Sequence, residues 1–465
     1  MNLIDATRQE NALTANGAIT NSTTLNNCLD LFFVIGSSHN MSEDEILKMF
    51  KKAEIEDQDT AWRIAFWSRD CRGGAGHKRA FRIISKYYAQ NHPDLWAKLS
   101  IITNEYGSWK DFFLTEEITD DTLNFLDIQL EESPNANLLA KWYPRKGKWF
   151  SAMHKFLKCS PKDFRKRLVN KTDVVETKIC SNDWGNIEFS KVPSVAMNRY
   201  RTLFYLNDYS RFDKYIKDVL EGKQKINSSV LYPHTLVNEM LNVARDEGNA
   251  IQAQWENLPN FMEGSKERII PVCDVSGSMM GLPMAVSIGL GLYISERNEG
   301  IFKDAFITFS ESPEMQYVKG NTLMERVEFV HSSDWGFNTN LIAVFNLILS
   351  RAVKYNLPKD QMPTKILIIS DMEFDEAASI TPYSNINNLY NAHDYELPEI
   401  IFWNVNGRIG NNPVNESTLK AGLVSGFSPS ILKHILKGEV ASPTQLMMEI
   451  LYSPRYDNIS KSLNL

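Results

Sequence analysis

Arg268-Ile-Ile-Pro-Val-Cys273, followed at once by Asp274-Val-Ser276-Gly-Ser278, decides the fold of this 465-residue chain. A short apolar run ends in an acid, and a helical pattern through Pro283, Met284, Ile288 and Leu292 comes next. Three more runs of the same kind follow: Ala305-Phe-Ile-Thr-Phe309, Lys365-Ile-Leu-Ile-Ile-Ser370 and Glu399-Ile-Ile-Phe-Trp-Asn404. Asn340 to Ala352 has helical spacing. Apolar β-type runs alternating with helices predict a mostly parallel, doubly wound α/β sheet covered on both faces.

Ligands of such sheets bind outside the carboxyl ends of the strands. Asp274, Ser276 and Ser278 occupy one such end, in a tight Gly-containing turn. Asp371 of Ser370-Asp-Met-Glu373 occupies another, and Thr339 of Trp335-Gly-Phe-Asn-Thr-Asn340 lies on a loop that opens a helix. Two carboxylates and three hydroxyls are hard oxygen donors. They suit one Mg2+, Mn2+ or Ca2+ ion, with open positions for water or for a partner's carboxylate. A Ser/Gly turn that merely caps a helix would explain neither Thr339 nor Asp371. A haloacid-type phosphotransferase would need a second acid at position 276, where this chain has Ser276.

Upstream the pattern is helical. Ser42 with Glu45 forms a capping box ahead of Ile46, Met49, Phe50 and Ala53. Further stripes are Trp62, Ala65 and Phe66; Phe81, Ile84 and Tyr88; and Leu95, Leu99 and Ile102. Ser160-Pro161 with Asp163 opens a helix through Phe164 and Leu168. The expected organisation is an Asn/Thr/Ala-rich arm over 1–25, an α-helical repeat module over 26–265 and the α/β domain over 266–465. The polar stretch Glu263-Gly-Ser-Lys-Glu267 marks the change.

Charge is uneven along the chain. Residues 1–140 hold 13 Lys/Arg against 21 Asp/Glu, whereas residues 141–225 hold 20 against 9, inside a protein of net charge −7. Between 141 and 171 the one acid, Asp163, stands among Lys141, Arg145, Lys146, Lys148, Lys155, Lys158, Lys162, Arg165, Lys166, Arg167 and Lys171. Trp142, Tyr143, Trp149 and Phe150 are interleaved with them. Cations can neutralise phosphates and aromatic faces can stack on unpaired bases, so this cluster is a candidate RNA surface. A solvated helix face with core aromatics is the competing explanation.

Composition narrows the remaining classes. A 43% hydrophobic content excludes wholesale disorder. The apolar run Ala285 to Ile294 is far short of the ~20 residues of a membrane span. No apolar secretory segment follows Met1, so a cytoplasmic protein without membrane partners is expected. The five cysteines, Cys28, Cys71, Cys159, Cys180 and Cys273, are far apart and never form CxxC, which argues against a disulfide framework or a structural zinc site. No base–nucleophile pair suggests catalysis.

Asp274, Ser276, Ser278, Thr339 and Asp371 resemble, in kind and order, the metal-ion-dependent adhesion site of von Willebrand factor type A domains. Ser68-Arg-Asp-Cys-Arg-Gly-Gly-Ala-Gly-His-Lys-Arg79 and Tyr106-Gly-Ser-Trp-Lys-Asp-Phe-Phe113 look like motifs of helical modules joined to such a domain. Together they make the chain similar to plant, viral and phage proteins of domain-of-unknown-function family 2828. The similarity extends more distantly to the Ro autoantigen group, in which a ring of helical repeats, the TROVE module, is closed by a type A domain. That resemblance implies a non-catalytic protein binding structured or single-stranded RNA on its basic helical surface, with one divalent metal in the α/β domain. The alternative is a metal-dependent interaction protein whose partner offers an acidic residue. The glycines of 68–79 could cradle a phosphate, but an inter-helix turn holding an ion pair through Asp70 is favoured.

Overall fold

The structure of the chain, a computed structural model, describes residues 11–115, 117–242, 247–309, 313–332, 340–374 and 383–464. The helix starts follow their caps. Ser42 Oγ accepts from the Glu45 N–H while the Glu45 carboxylate accepts from the Ser42 N–H, opening the helix Glu43–Glu56. Ile46, Phe50 and Ala53 are its buried face. Ser160 caps Pro161–Lys171 in the same way through Asp163 N, and Phe164 and Leu168 point inward. Three apolar clusters serve the helical half, one built around Trp109, Phe112, Trp149 and Phe164 and another around Phe189, Phe204 and Phe212. The third is continuous with the core of the sheet.

A short antiparallel hairpin, β1 (Asn11–Leu13) and β2 (Ile19–Asn21), precedes the helices. Six strands form the second sheet: β3 (Ile269–Cys273), β4 (Ala305–Thr308), β5 (Met315–Tyr317), β6 (Lys365–Ser370), β7 (Glu399–Asn404) and β8 (Ala421–Ser425). Their order is β5-β4-β3-β6-β7-β8, parallel throughout except for the edge strand β5. The chain leaves β3 toward β4 on one side and returns to β6 on the other, so the order reverses between β3 and β6. Register sets Cys273 beside Ile369, which brings Asp274 and Ser370 together at that reversal point. Pro271, unable to donate, is tolerated in this central strand because the ladder with β4 starts only at Val272.

The two halves interpenetrate. The helix Asn27–Ile35 is buried through Leu29, Leu31, Phe32, Phe33, Val34 and Ile35 and packs on β8. Ser425 Oγ donates to the Phe32 carbonyl at 2.6 Å and accepts from Gly36 N at 3.1 Å. A Cβ on Gly36 would lie 2.7 Å from the Ser425 carbonyl oxygen, so the contact needs glycine there. In return the C-terminal helices Pro443–Leu451 and Asp457–Leu463 pack against Gln58–Arg69. One apolar core therefore runs from Ala18 to Ile459 across the polar stretch at 263–267. Residues 11–21 are also not the free arm that composition suggests: Thr14, Ala18 and Thr20 are buried, and Asn21 pairs with Asn412. A parallel sheet exposes an edge that must be covered, and the first half of the chain supplies the cover.

The Gly-rich motif closes a turn instead of opening a cradle. The N–H groups of Cys71, Gly74, Ala75 and His77 donate to the carbonyls of Tyr106, Asp70, Trp67 and Ser68, and Arg72 N donates to Asp70 Oδ1. None of these is left for a phosphate. Gly74 is forced by space, since a Cβ would meet the Trp67 carbonyl oxygen at 2.1 Å. Asp70 is fully buried and pairs with Arg455, some 385 positions away, with the Tyr456 hydroxyl donating to it as well. Its partner is thus remote in sequence, not a neighbouring arginine.

Between the halves, His77 meets the ring of His39 edge-on at 4.1 Å, and both His39 and His234 contact Phe427. Among the described residues neither ring nitrogen of His77 has a hydrogen-bond partner. Burial, with the charges of His39 and Arg79 adding to it, pushes the His77 imidazole down to about 3, and burial pushes His234 down to about 4. Both stay neutral when folded but take up a proton near 6.5 when unfolded, so stability falls as pH drops below 6.5 toward those values. At pH 5 each costs roughly 2 kcal/mol relative to pH 7. The urea midpoint of His77→Phe is accordingly expected to fall less than wild type between pH 7 and pH 5. Equal losses in the two proteins would contradict neutral burial of His77.

Candidate metal centre

Asp274 leaves β3 with its backbone N–H held by the Ile369 carbonyl at 3.0 Å, which fixes the carboxylate between β3 and β6. Its Oδ1 accepts from Ser276 N at 2.9 Å, and its Oδ2 accepts from the Ser370 hydroxyl. Ser276 Oγ and Ser278 Oγ lie 3.1 Å apart on the turn Gly277–Met279. Asp371 follows β6, its Oδ1 accepting from Glu373 N at 3.2 Å, and the nearby Ser278 hydroxyl favours its charged form. Met372 turns the chain through a left-handed φ of 66°, stabilised by its N–H donating to Ser370 Oγ at 2.9 Å. Asp274, Ser276, Ser278 and Asp371 therefore converge. Thr339 lies outside the described residues.

The electrostatics suit a cation. Burial pushes the Asp274 carboxyl up to about 6, and the neighbouring Asp371 charge adds to it, against hydrogen bonds from Ser370 and Ser276. Burial raises Asp371 as well, opposed by Glu373 N, Arg408 and Ser278. Two buried acids facing one another are unfavourable alone and are relieved by positive charge. Arg408 already supplies some, its Nη2 3.4 Å from Asp371 Oδ2. The all-oxygen donor set fits a hard divalent ion. Among the described residues no three His, Cys, Asp or Glu side chains form a metal cage, so hydroxyls, water or a partner would complete the coordination.

Sequence reasoning missed Arg408, Glu373 and Asn411 as parts of this centre. Arg408 Nη1 donates to Glu373 Oε1 at 2.8 Å, and Asn411 Nδ2 donates to the Met372 carbonyl at 3.0 Å. Glu373 was visible as an acid two residues beyond Asp371. Arg408 sits on the loop after β7 in Asn406-Gly-Arg-Ile-Gly410, which carries no motif.

The basic cluster is divided by the fold. Trp149 is 3% exposed and packs on Phe112 and Phe113, so it cannot stack on a base, which corrects its assignment to an RNA surface. Tyr143 and Phe150 are buried too, and Lys110 covers the ring of Trp142. These aromatics fill the core of their own helical unit. Lys141 pairs with Glu176, Arg167 with Asp127 and Glu131, and Lys171 with Glu131. Arg145 reaches Thr172 and Arg165 stands over Phe150. Arg145, Lys146, Lys148, Lys155, Lys158, Lys162, Arg165 and Lys166 remain exposed.

Two family models match the chain. Domain of unknown function (DUF2828) matches residues 14–115 and 150–265, and Domain of unknown function (DUF7788) matches residues 268–455. The chain is also similar to Uncharacterized protein L728 of Acanthamoeba polyphaga mimivirus, 26% identical over 503 residues that cover 95% of this chain and 87% of that relative. No helix among the described residues is long and apolar enough to cross a membrane.

Proposed function

Starting from a helical half and a sheet that two family models match separately, we propose that this is a non-catalytic, divalent-cation-dependent interaction protein. Its sheet is taken as a von Willebrand type A-like domain. Mg2+ or Mn2+ held by Asp274, Ser276, Ser278 and Asp371, with Thr339 as the further hydroxyl ligand, would capture a carboxylate of a protein partner. The observation that carries this reading is the convergence of those four side chains at the reversal point of the sheet. When bound, the ion supplies an open, Lewis-acidic coordination position. The chain's own residues fix the donors: Ser370 and Ser276 N orient Asp274, and Glu373 N orients Asp371.

Mn2+ bound to the full-length protein is expected to speed water-proton relaxation, because coordination positions stay open. Added acetate should reduce that enhancement by displacing a water. Bound Mn2+ without exchangeable water would sink the interaction reading.

The exposed lysines favour a second reading, RNA-backbone binding on the helices Lys148–Phe156 and Pro161–Lys171. Affinity would then fall with log salt by about 0.7 per phosphate neutralised on single strands. Replacing Lys155, Lys158 and Lys166 with Ala is expected to flatten that slope by about 2, while Asp274→Ala leaves it unchanged. Wild-type protein that binds no RNA even at ~50 mM salt would remove this reading, as would an unaltered triple variant.

A further inference from the structure

We propose that Arg408 is the resident counter-cation of the metal centre, and that it sets the centre's affinity by competing with the divalent ion for Asp371. This rests on the metal reading above. The guanidinium bridges two acids that are essentially buried: Nη1 bonds Glu373 Oε1 at 2.8 Å and Nη2 lies 3.4 Å from Asp371 Oδ2. The arginine side chain itself is 39% exposed, so it can swing outward without unfolding anything. The contact to Glu373 is the tighter, and Glu373 is held on all sides. Its other oxygen accepts from Ala15 N, Asn411 Nδ2 donates to its Oε1 at 3.2 Å, and Asn16 Nδ2 donates to its carbonyl at 2.7 Å.

Glu373 is therefore an anchor and not a free ligand. Its two carboxylate oxygens are committed to Arg408, Asn411 and the N-terminal hairpin, and it parks the guanidinium beside Asp371. A second cation arriving at Asp371 must meet that guanidinium a few ångströms away, in a setting where charges are poorly screened. Two consequences follow. Removing the charge of Arg408 should make the centre bind a dication more tightly. Keeping the charge in a different side chain should change affinity little.

The test is calorimetric titration of Mn2+ into the full chain, as wild type, Arg408→Gln, Arg408→Lys and Asp274→Ala. Arg408→Gln is expected to tighten binding about tenfold, with Arg408→Lys close to wild type. Equal or weaker binding by Arg408→Gln, with its circular dichroism unchanged, would overturn the counter-cation role while leaving the metal centre standing. If Arg408→Gln loses structure, Arg408→Lys decides: affinity close to wild type upholds the role, and a lysine variant that binds about tenfold tighter than wild type overturns it. Absence of Mn2+ binding in both wild type and Arg408→Gln, equal to Asp274→Ala, would refute the metal reading and this proposal with it.

Discussion

Asp274→Ala is expected to abolish Mg2+ and Mn2+ binding while the protein stays folded. Asp274 is the carboxylate that β3 and β6 hold at the reversal point, with Ser276 N and the Ser370 hydroxyl fixing both of its oxygens. Loss of groups that only orient a ligand already costs about 10–100-fold in metal affinity, so loss of the ligand should exceed that. Folding should survive because the change removes a buried acid that burial and Asp371 disfavour in its charged form. The orphaned Ser370 hydroxyl still accepts from Met372 N. Calorimetric titration beside a thermal melt separates the two effects. Equal Mn2+ affinity in wild type and variant would dismiss the centre, whatever the melt shows.

Asp111→Ala is expected to be among the most destabilising single changes in the helical half, at about 3–5 kcal/mol. Asp111 is fully buried on the short helix Trp109–Phe112 and holds two arginines of the other motif's helices. Arg69 lies 2.8 Å from its Oδ2, and Arg82 lies 2.7 Å from its Oδ1. Asp111 also accepts from Ser108 N at 3.0 Å, closing the turn at Gly107. Truncation leaves Arg69, itself buried, with its charge unpaired in a medium that solvates it poorly. A double-mutant cycle with Arg69→Met in urea should show strong coupling, since the double variant removes both charges. Additive single effects would mean that the pair does not act as a unit.

What could be read from residues alone was whatever depends on local pattern. Capping boxes at Ser42 and Ser160 set helix starts, and the four long apolar runs became β3, β4, β6 and β7. Strand β5 has only three residues at an edge, and Ala421-Gly-Leu-Val-Ser425 lacks the large side chains that mark a strand. Gly422 is small because Leu446, Ile401 and Val440 crowd it, a reason that exists only after packing. Asp274, Ser276, Ser278 and Asp371 were legible because they follow the strands β3 and β6. Arg408 and Glu373 gained their place from the loop after β7 and the N-terminal hairpin, which sequence separation hides.

The sequence by itself determined the capped helices and the four long strands, and that Asp274, Ser276, Ser278 and Asp371 stand at strand ends, because periodicity and turn chemistry act over a few residues. Only the tertiary structure decided that Trp149 is core, that the basic cluster is partly consumed in ion pairs, and that Asp70 belongs to Arg455. It also decided that the helix Asn27–Ile35 completes the sheet edge at β8, so the change of pattern near 266 marks a change of secondary structure within one core. Burial and ion pairing depend on which surfaces meet across hundreds of residues, and a side chain's type alone does not say whether its partner will be solvent or another side chain.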